Sequence, residues 1–302
     1  MRVVSLLPSA TELLYGLGAE PLGVSHSCDY PPAARAKPVL TSTVIEYGDD
    51  RPPADIDRQT RNVEGSTYDI DVDLLADLDP DLVVTQATCE VCAVDASDVF
   101  EAVERRGIDA DVLTLDPHSL SDILDDLTRV GEAIGASDTA ASLRAELEAR
   151  IERVTDRAAA AMDRPRTAVL DWTDPVIAGG HWVPEMIERA GGTPGLVTDG
   201  PSTPQHWDDV RAFDPEVLIV APCGFDVERG TDAISDLRSK DGWANLTAVQ
   251  DGNVYVVDGN GYVNRPGPRL VDSLELFASC IHPDRFEAPA PAVVRRVGAV
   301  PP

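Results

Sequence analysis

The sequence predicts an α/β protein of two similar lobes with mainly parallel sheets, joined by one long helix. Three observations predict it. Short apolar runs alternate with helical stretches along most of the 302 residues, the pattern of parallel strands with crossover helices. The stretch LADLDPDLVV returns later as VRAFDPEVLIV, so the plan repeats. Between the repeats, Leu143, Leu147, Ile151, Val154, Ala158 and Met162 recur at steps of three or four, one stripe of a 3.6-residue helix.

The elements follow in order. Val3 to Leu7 is a short apolar strand, and Ser9 and Glu12 have capping-box spacing for a helix that stops at Gly18. Residues 21–25 read as a second strand, which leads into His26-Ser27-Cys28-Asp29-Tyr30-Pro31-Pro32, where two prolines end regular structure. Residues 41–69 are polar and aperiodic and read as a long loop with a short helix. Residues 71–78 form a helix broken by Asp79-Pro80, and residues 81–85 a buried strand that delivers Cys89-Glu90-Val91-Cys92. Helices at 97–106 and 120–134 flank a strand at 112–115. Ser137 can cap the long helix and Pro165 forbids its continuation, so it spans 137–162 and roughly 38 Å. The second lobe has strands at 168–172, 217–220 and 254–258 and helices at 185–190, 204–211 and 268–280. The domain plan is therefore residues 1–118, a helical connector 119–163, residues 164–285, and a Pro/Ala-rich tail 286–302.

Composition narrows the function. The chain carries 53 acidic and 25 basic residues, a net charge of −28, and its only lysines are Lys37 and Lys240. Such a surface stays soluble in molar salt, where the Debye length is about 3 Å, and predicts a halophilic protein. It offers no basic patch to phosphates, which excludes nucleic acid as a partner. No run approaches the ~20 apolar residues of a membrane span, and MRVVSLLPSATE is interrupted too soon by Pro8 for a secretion signal; the chain reads as cytoplasmic as written, as a mature form numbered afresh, or as exported without a Sec-type signal. Five cysteines do not make a disulfide framework.

Chemistry-bearing residues cluster just after predicted strands, where α/β sheets bind ligands. They are His26 and Cys28; Cys89 and Cys92; His181 with Trp172 and Trp182; Cys223 with Phe225 and Asp226; and the run Gly259 to Arg265, which includes Tyr262. His26, Cys28, Cys89, Cys92, His181 and Cys223 have the residue types of a metal site. A lone Cys-x-x-Cys equally fits small loop residues or thiol chemistry, and these readings stay open. Trp172, Trp182 and Tyr262, in a chain with 5% aromatics, suit a flat apolar ligand; Arg265 suits an anionic group or a neighbouring carboxylate. No dinucleotide fingerprint, Walker loop, nucleophile elbow or His-Glu-x-x-His helix is present.

The segments RVVSLLPSATELLYGLG, GVSHSCDYPP, LADLDPDLVV and GYVNRPGPRLVDSLELFASCI resemble the periplasmic binding proteins that capture cobalamin and ferric siderophores for ABC importers. The resemblance covers about residues 1–285; Asp-Tyr-Pro-Pro and Arg-x-x-Pro-Arg point to the cobalamin branch. It implies two lobes on one helical backbone, a monomer, a non-enzymatic binding role and an extracytoplasmic place. It implies cobalamin or another corrinoid in a cleft that includes Tyr30, Trp172, Tyr262 and Arg265, to which the strand-end reading adds His181, Trp182 and Phe225. It further implies that Asp73 and Asp208 meet arginines of the importer's membrane subunits. Two alternatives stay open: a siderophore, haem or metal-ion binder of the same fold, and a cytosolic metal- or thiol-dependent protein that uses the Cys/His residues.

Overall fold

The structure is a computed structural model and describes residues 1–48, 51–88 and 93–297. In chain order its elements are β1 (Val3–Ser5), α1 (Pro8–Gly16), β2 (Gly23–Val24), β3 (Thr41–Thr43), α2 (Pro53–Asn62), β4 (Tyr68–Ile70), α3 (Val72–Leu78), β5 (Leu82–Gln86), α4 (Ala96–Arg106), β6 (Asp111–Leu115), α5 (Leu120–Ala133) and α6 (Ser137–Ala159). There follow β7 (Thr167–Thr173), β8 (Val176–Ala178), α7 (Val183–Arg189), β9 (Thr203–Pro204), α8 (Trp207–Phe213), β10 (Val217–Val220), α9 (Val227–Arg238), α10 (Thr247–Gln250), β11 (Val254–Val257), α11 (Leu270–Ile281) and β12 (Val294–Arg296). The α/β class with mainly parallel sheets is as the sequence predicts. Two compact units divide the chain: Met1–Gly48 with Arg58–Glu146, and Asp49–Asp57 with Leu147–Pro302.

The first unit is built on a four-stranded parallel sheet in the order β2-β1-β5-β6. Val4, Leu6, Val83 and Val99 are wholly buried in its core, as expected of strands covered on both faces. In the second unit the parallel trio β7, β10 and β11 forms the middle of a six-stranded sheet, β12-β11-β10-β7-β8-β9, with antiparallel strands at both edges. Leu170, Leu218, Val220 and Val256 lie at its centre.

The repeat seen in the sequence is structural. Helices α3 and α8 are each seven residues long and each ends on an aspartate in the left-handed region, Asp79 at φ 44° and Asp214 at φ 45°. Asp tolerates that region better than most residues, and the proline that follows each of them cannot continue a helix.

Several elements differ from the sequence expectation. Residues 41–69 hold α2 and the antiparallel pair β3–β4; their polar residues carry no alternation, and the partner strand supplies the order. Helix α1 starts at Pro8 with Leu7 as its uncapped N-cap, so Ser9 and Glu12 are buried helical residues and form no capping box. Helix α6 ends at Ala159: Leu147, Ile151, Val154 and Ala158 are buried, but Met162 is fully exposed and belongs to no stripe. Helix α7 starts at Val183 because Pro184 is tolerated in a first turn, and Pro204 lies on the edge strand β9 rather than in α8. The stretch read as a Pro/Ala-rich tail contributes β12, paired with β11 from Tyr255↔Arg296 to Val257↔Val294.

Candidate ligand-binding site

Five segments of the second unit, at the end of β7, after β8, before β9 and after β10 and β11, are tied into one cluster. Ser202 Oγ donates to Asp171 Oδ2 at 2.5 Å and accepts from the Gly180 N–H at 3.0 Å. The His181 N–H donates to the Gly200 carbonyl at 2.6 Å. The Cys223 N–H donates to the Asp171 carbonyl at 3.1 Å, and the Asn260 N–H to the Phe225 carbonyl at 3.0 Å. Asn264 Nδ2 donates to the Ala221 and Gly259 carbonyls at 2.9 and 3.1 Å. The approaches are close: a Cβ on Gly180 would strike the backbone of residues 200–202, and one on Gly259 the carbonyls of Ala221 and Pro222. Only glycine fits at either place.

His181 is the strained member. Its φ of 52° is left-handed, which costs a non-glycine residue about 1–3 kcal/mol and persists only where the surroundings impose it. The Asp171–Ser202–Gly180 bonds and the Gly200 carbonyl impose it here. The imidazole is half-buried and stacks on Trp182, with ring centroids 5.6 Å apart. Asp171 and Ser202 were not among the predicted site residues: Ser202 lies in a polar loop that carries no motif, and only the fold brings it beside the strand.

The aromatic residues divide into two sets. Trp172, Trp182 and Phe225 are 8%, 7% and 1% exposed, which places them within the wall. The Trp172 indole donates to the Pro53 carbonyl at 3.2 Å and the Trp182 indole to the Val263 carbonyl at 2.9 Å. Phe225 packs on Trp172 with ring centroids 5.2 Å apart, and the Arg229 guanidinium lies over the Phe225 ring, 3.8 Å from its centroid. Their apolar bodies are needed inside and their N–H groups find carbonyls, so they shape the loops that carry His181 and Tyr262. Tyr262 is half-buried, with Arg269 5.3 Å from its ring. Tyr30, in the first unit, is 45% exposed.

Arg265 is 6% exposed and donates to Asn260 Oδ1 at 3.0 Å. Asp258 accepts from the Gly261 N–H at 2.7 Å and caps the π turn that carries Tyr262. Burial raises the Asp258 carboxyl above its ordinary value, against the opposing pull of the Gly261 N–H and the Arg265 charge.

The metal-type residues divide between the two units: His26 and Cys28 belong to the first, His181 and Cys223 to the second. Cys28 is 4% exposed, packs with Val24 and Ala34, and takes the Thr11 hydroxyl at 3.1 Å, which makes it a core residue. His26 shares its Nδ1 with Thr41 Oγ1 at 2.8 Å, and burial lowers its pKa. Cys223 is half-buried in the second unit's loops. Cys89 and Cys92 lie outside the described residues. Among the described residues no three His, Cys, Asp or Glu side chains are grouped to hold a metal ion. The proposed docking aspartates are exposed in the first turns of α3 and α8; Asp73 pairs with Arg106, and Asp208 with Arg211 at 3.1 Å.

The family model described as periplasmic binding protein matches residues 3–260. The chain belongs to that family. The uncharacterised ABC transporter substrate-binding lipoprotein YvrC of Bacillus subtilis is 26% identical over 95% of this chain and 81% of its own length. A vitamin B12-binding protein of Vibrio cholerae is 24% identical over 91% of this chain and 86% of its own. Among solved structures, a periplasmic haem-binding protein from Pseudomonas aeruginosa superposes with a TM-score of 0.74 at 20% identity, covering 99% of both chains. The Vibrio cholerae vitamin B12-binding protein BtuF superposes with a TM-score of 0.66 at 19% identity over 93% of this chain and 96% of its own. These superpositions establish the helical-backbone binding-protein fold. Among the described residues no helix is long and apolar enough to cross a membrane.

Proposed function

We propose that the chain is the solute-capture component of an ABC-type importer and that its solute is cobalamin or a related corrinoid. The observation that carries the reading is the loop cluster of the second unit. It presents one imposed imidazole, His181, one half-buried phenol, Tyr262, and one buried guanidinium, Arg265, on walls backed by Trp172, Trp182 and Phe225. A flat macrocycle with a metal at its centre matches this set. Its edge buries apolar surface at roughly 25 cal/mol per Å² before ordering costs, Arg265 faces its polar substituents, and His181 offers nitrogen to the metal. The likeness to the Vibrio cholerae vitamin B12-binding protein over nine-tenths of the chain supports the corrinoid, and the likeness to YvrC supports the importer. Asp73 and Asp208 are the carboxylates offered to the importer. Capture is non-enzymatic, and the acid-rich surface is a device for solubility in high salt.

A second reading, haem, is favoured by His181 itself, because an imidazole binds haem iron as readily as cobalt. The test is a titration of the reduced, metal-free chain with aquocobalamin and with haemin in about 2 M KCl. Tight one-to-one cobalamin binding that weakens in His181→Ala supports the corrinoid reading. Binding of haemin alone replaces it with the haem reading. Binding of neither overturns both.

A further inference from the structure

His26 stands two residues past β2, at the carboxyl end of the first unit's parallel sheet, where such sheets bind ligands. Its Nδ1 and its backbone N–H both lie on Thr41 Oγ1, at 2.8 and 3.1 Å. Thr41 in turn donates its hydroxyl proton to Ser25 Oγ at 3.1 Å. A hydroxyl has one proton and two lone pairs. The Thr41 proton is committed to Ser25, so its oxygen accepts twice from His26, once from the backbone and once from Nδ1–H. That fixes the imidazole as the Nδ1–H tautomer and leaves the lone pair on Nε2. Thr41 and Ser25 are buried, so the ring is held from within, and Tyr68 lies beside it with ring centroids 5.5 Å apart. His26 itself is exposed.

An imidazole anchored through Nδ1–H, with Nε2 turned to an open side, has the build of a metal-ligating histidine. The kind of metal follows from the number of ligands. A bare ion such as zinc takes about four, and among the described residues no three His, Cys, Asp or Glu side chains are grouped to supply them. A single imidazole serves a metal that arrives with its other ligands in place, as in a metallomacrocycle. A second observation agrees. Among the described residues six large apolar side chains are exposed, and three of them, Tyr30, Val39 and Val44, fall on the segments around His26. Tyr30 follows it by four residues, Val39 pairs with Val24 of β2, and Val44 comes just after β3, which carries Thr41. Apolar surface left open on adjoining segments suits the edge of a large macrocycle.

The geometry points to His26 as a metal ligand, its Nε2 taking an open coordination position of the metal in the captured macrocycle. This rests on the corrinoid reading above and deepens it, because that reading places no residue of the first unit on the metal. The step is a ligand exchange. A metal-bound water leaves, the Nε2 lone pair forms the new bond, and the metal keeps its oxidation state. Thr41 is the positioning residue, and it acts only through the imidazole.

The test compares two forms of one corrinoid: diaquocobinamide, whose two axial waters exchange, and dicyanocobinamide, whose axial positions are blocked. Two exchangeable positions leave one for His26 even where His181 holds the other. Each form is titrated into the full chain in about 2 M KCl. The parent should bind the diaquo form at least about tenfold more tightly, with a change in its visible spectrum. His26→Ala should lose about tenfold for the diaquo form and much of the spectral change, and keep the parent's affinity for the dicyano form. Thr41→Val, which removes the acceptor of Nδ1–H, should weaken the diaquo form alone. A diaquo affinity and spectrum unchanged in His26→Ala would overturn the assignment and leave the corrinoid reading standing. An equal loss for both forms would do the same, since it marks a histidine that only supports the fold. A parent that binds neither form would overturn both.

Discussion

Arg2 and Arg166 hold equivalent posts in the two repeats. Each sits one residue before the first strand of its sheet, and each N–H donates to the carboxylate two residues past the left-handed aspartate. Arg2 reaches Asp81 at 2.6 Å and Arg166 reaches Glu216 at 2.9 Å. Each guanidinium then closes the end of a helix: Arg2 on the Leu78 carbonyl at 2.5 Å, Arg166 on those of Phe213 and Asp214 at 3.1 and 2.9 Å. These carbonyls have no partner within their helices, and the arginine supplies one.

A unit-specific loss of stability follows. All four tryptophans lie in the second unit, so their fluorescence reports on that unit while far-ultraviolet circular dichroism reports on both. Arg166→Ala should lower the fluorescence-detected urea midpoint, with a loss of about 1–2 kcal/mol, whereas Arg2→Ala should leave that midpoint in place. Equal shifts from both variants would refute the independence of the two posts.

Asp126 makes stability depend on pH. It lies 3% exposed on α5, with Arg129 at 2.7 Å from one oxygen and the other oxygen unbonded among the described residues. Burial raises its pKa from 3.8 to about 6, against the pull of Arg129 and with a push from Asp122 and Asp116. Below the unfolded value both states are protonated and no penalty applies. Between the two values the folded state holds a proton that the unfolded state releases, so stability falls as pH rises. Above about 6 the full penalty stands, on the order of 2–3 kcal/mol. Asp126→Asn should therefore stabilise the chain at pH 8 and change little at pH 4. Denaturation curves at the two values decide it, and an equal gain at both would contradict the assignment.

His181 should trade stability for binding. Glycine adopts a φ of 52° freely, so His181→Gly should raise stability by about 1 kcal/mol while weakening corrinoid binding. His181→Ala and Trp172→Ala should weaken binding without that gain, and Asp73→Ala should bind as the parent does. Isothermal titration beside thermal melting separates the two effects. A His181→Gly variant that binds like the parent would remove the imidazole from the site.

Salt should stabilise the fold. A net charge of −28 repels itself, and shortening the Debye length from about 10 Å to a few Å removes most of that repulsion. The melting midpoint should climb steadily between about 0.1 M and about 2 M KCl. A flat or falling midpoint would count against the halophilic reading.

The repeat was legible because Asp-Pro breaks, such as Asp79-Pro80 and Asp214-Pro215, are local chemistry that no distant contact can override. The positions of Trp172, Trp182 and Phe225 were legible for the same reason, since strand ends can be counted. Their direction was not. A register shift between Leu170 and Trp172 re-aims the end of β7, and the Pro53 carbonyl that receives the Trp172 indole comes from 119 residues away. The core position of Cys28 is not legible, because a cysteine two residues from a histidine has ligand spacing whether it faces a loop or the core. Strands β3, Thr-Ser-Thr, and β12, Val-Arg-Arg, escaped because three residues with so little apolar content acquire strand character only from the partner they pair with.

Strand β12 also has a protective consequence. Its partner β11, Val254-Tyr255-Val256-Val257, is buried throughout and would otherwise present a row of open amides along the sheet border. By covering it, β12 replaces a sticky apolar margin with one three residues long, in which Arg295 and Arg296 are exposed. Short margins that carry positive charge resist the addition of foreign strands. A chain cut before Val294 would keep its ligand loops yet expose β11 to self-association, so residues 294–296 guard the protein against aggregation.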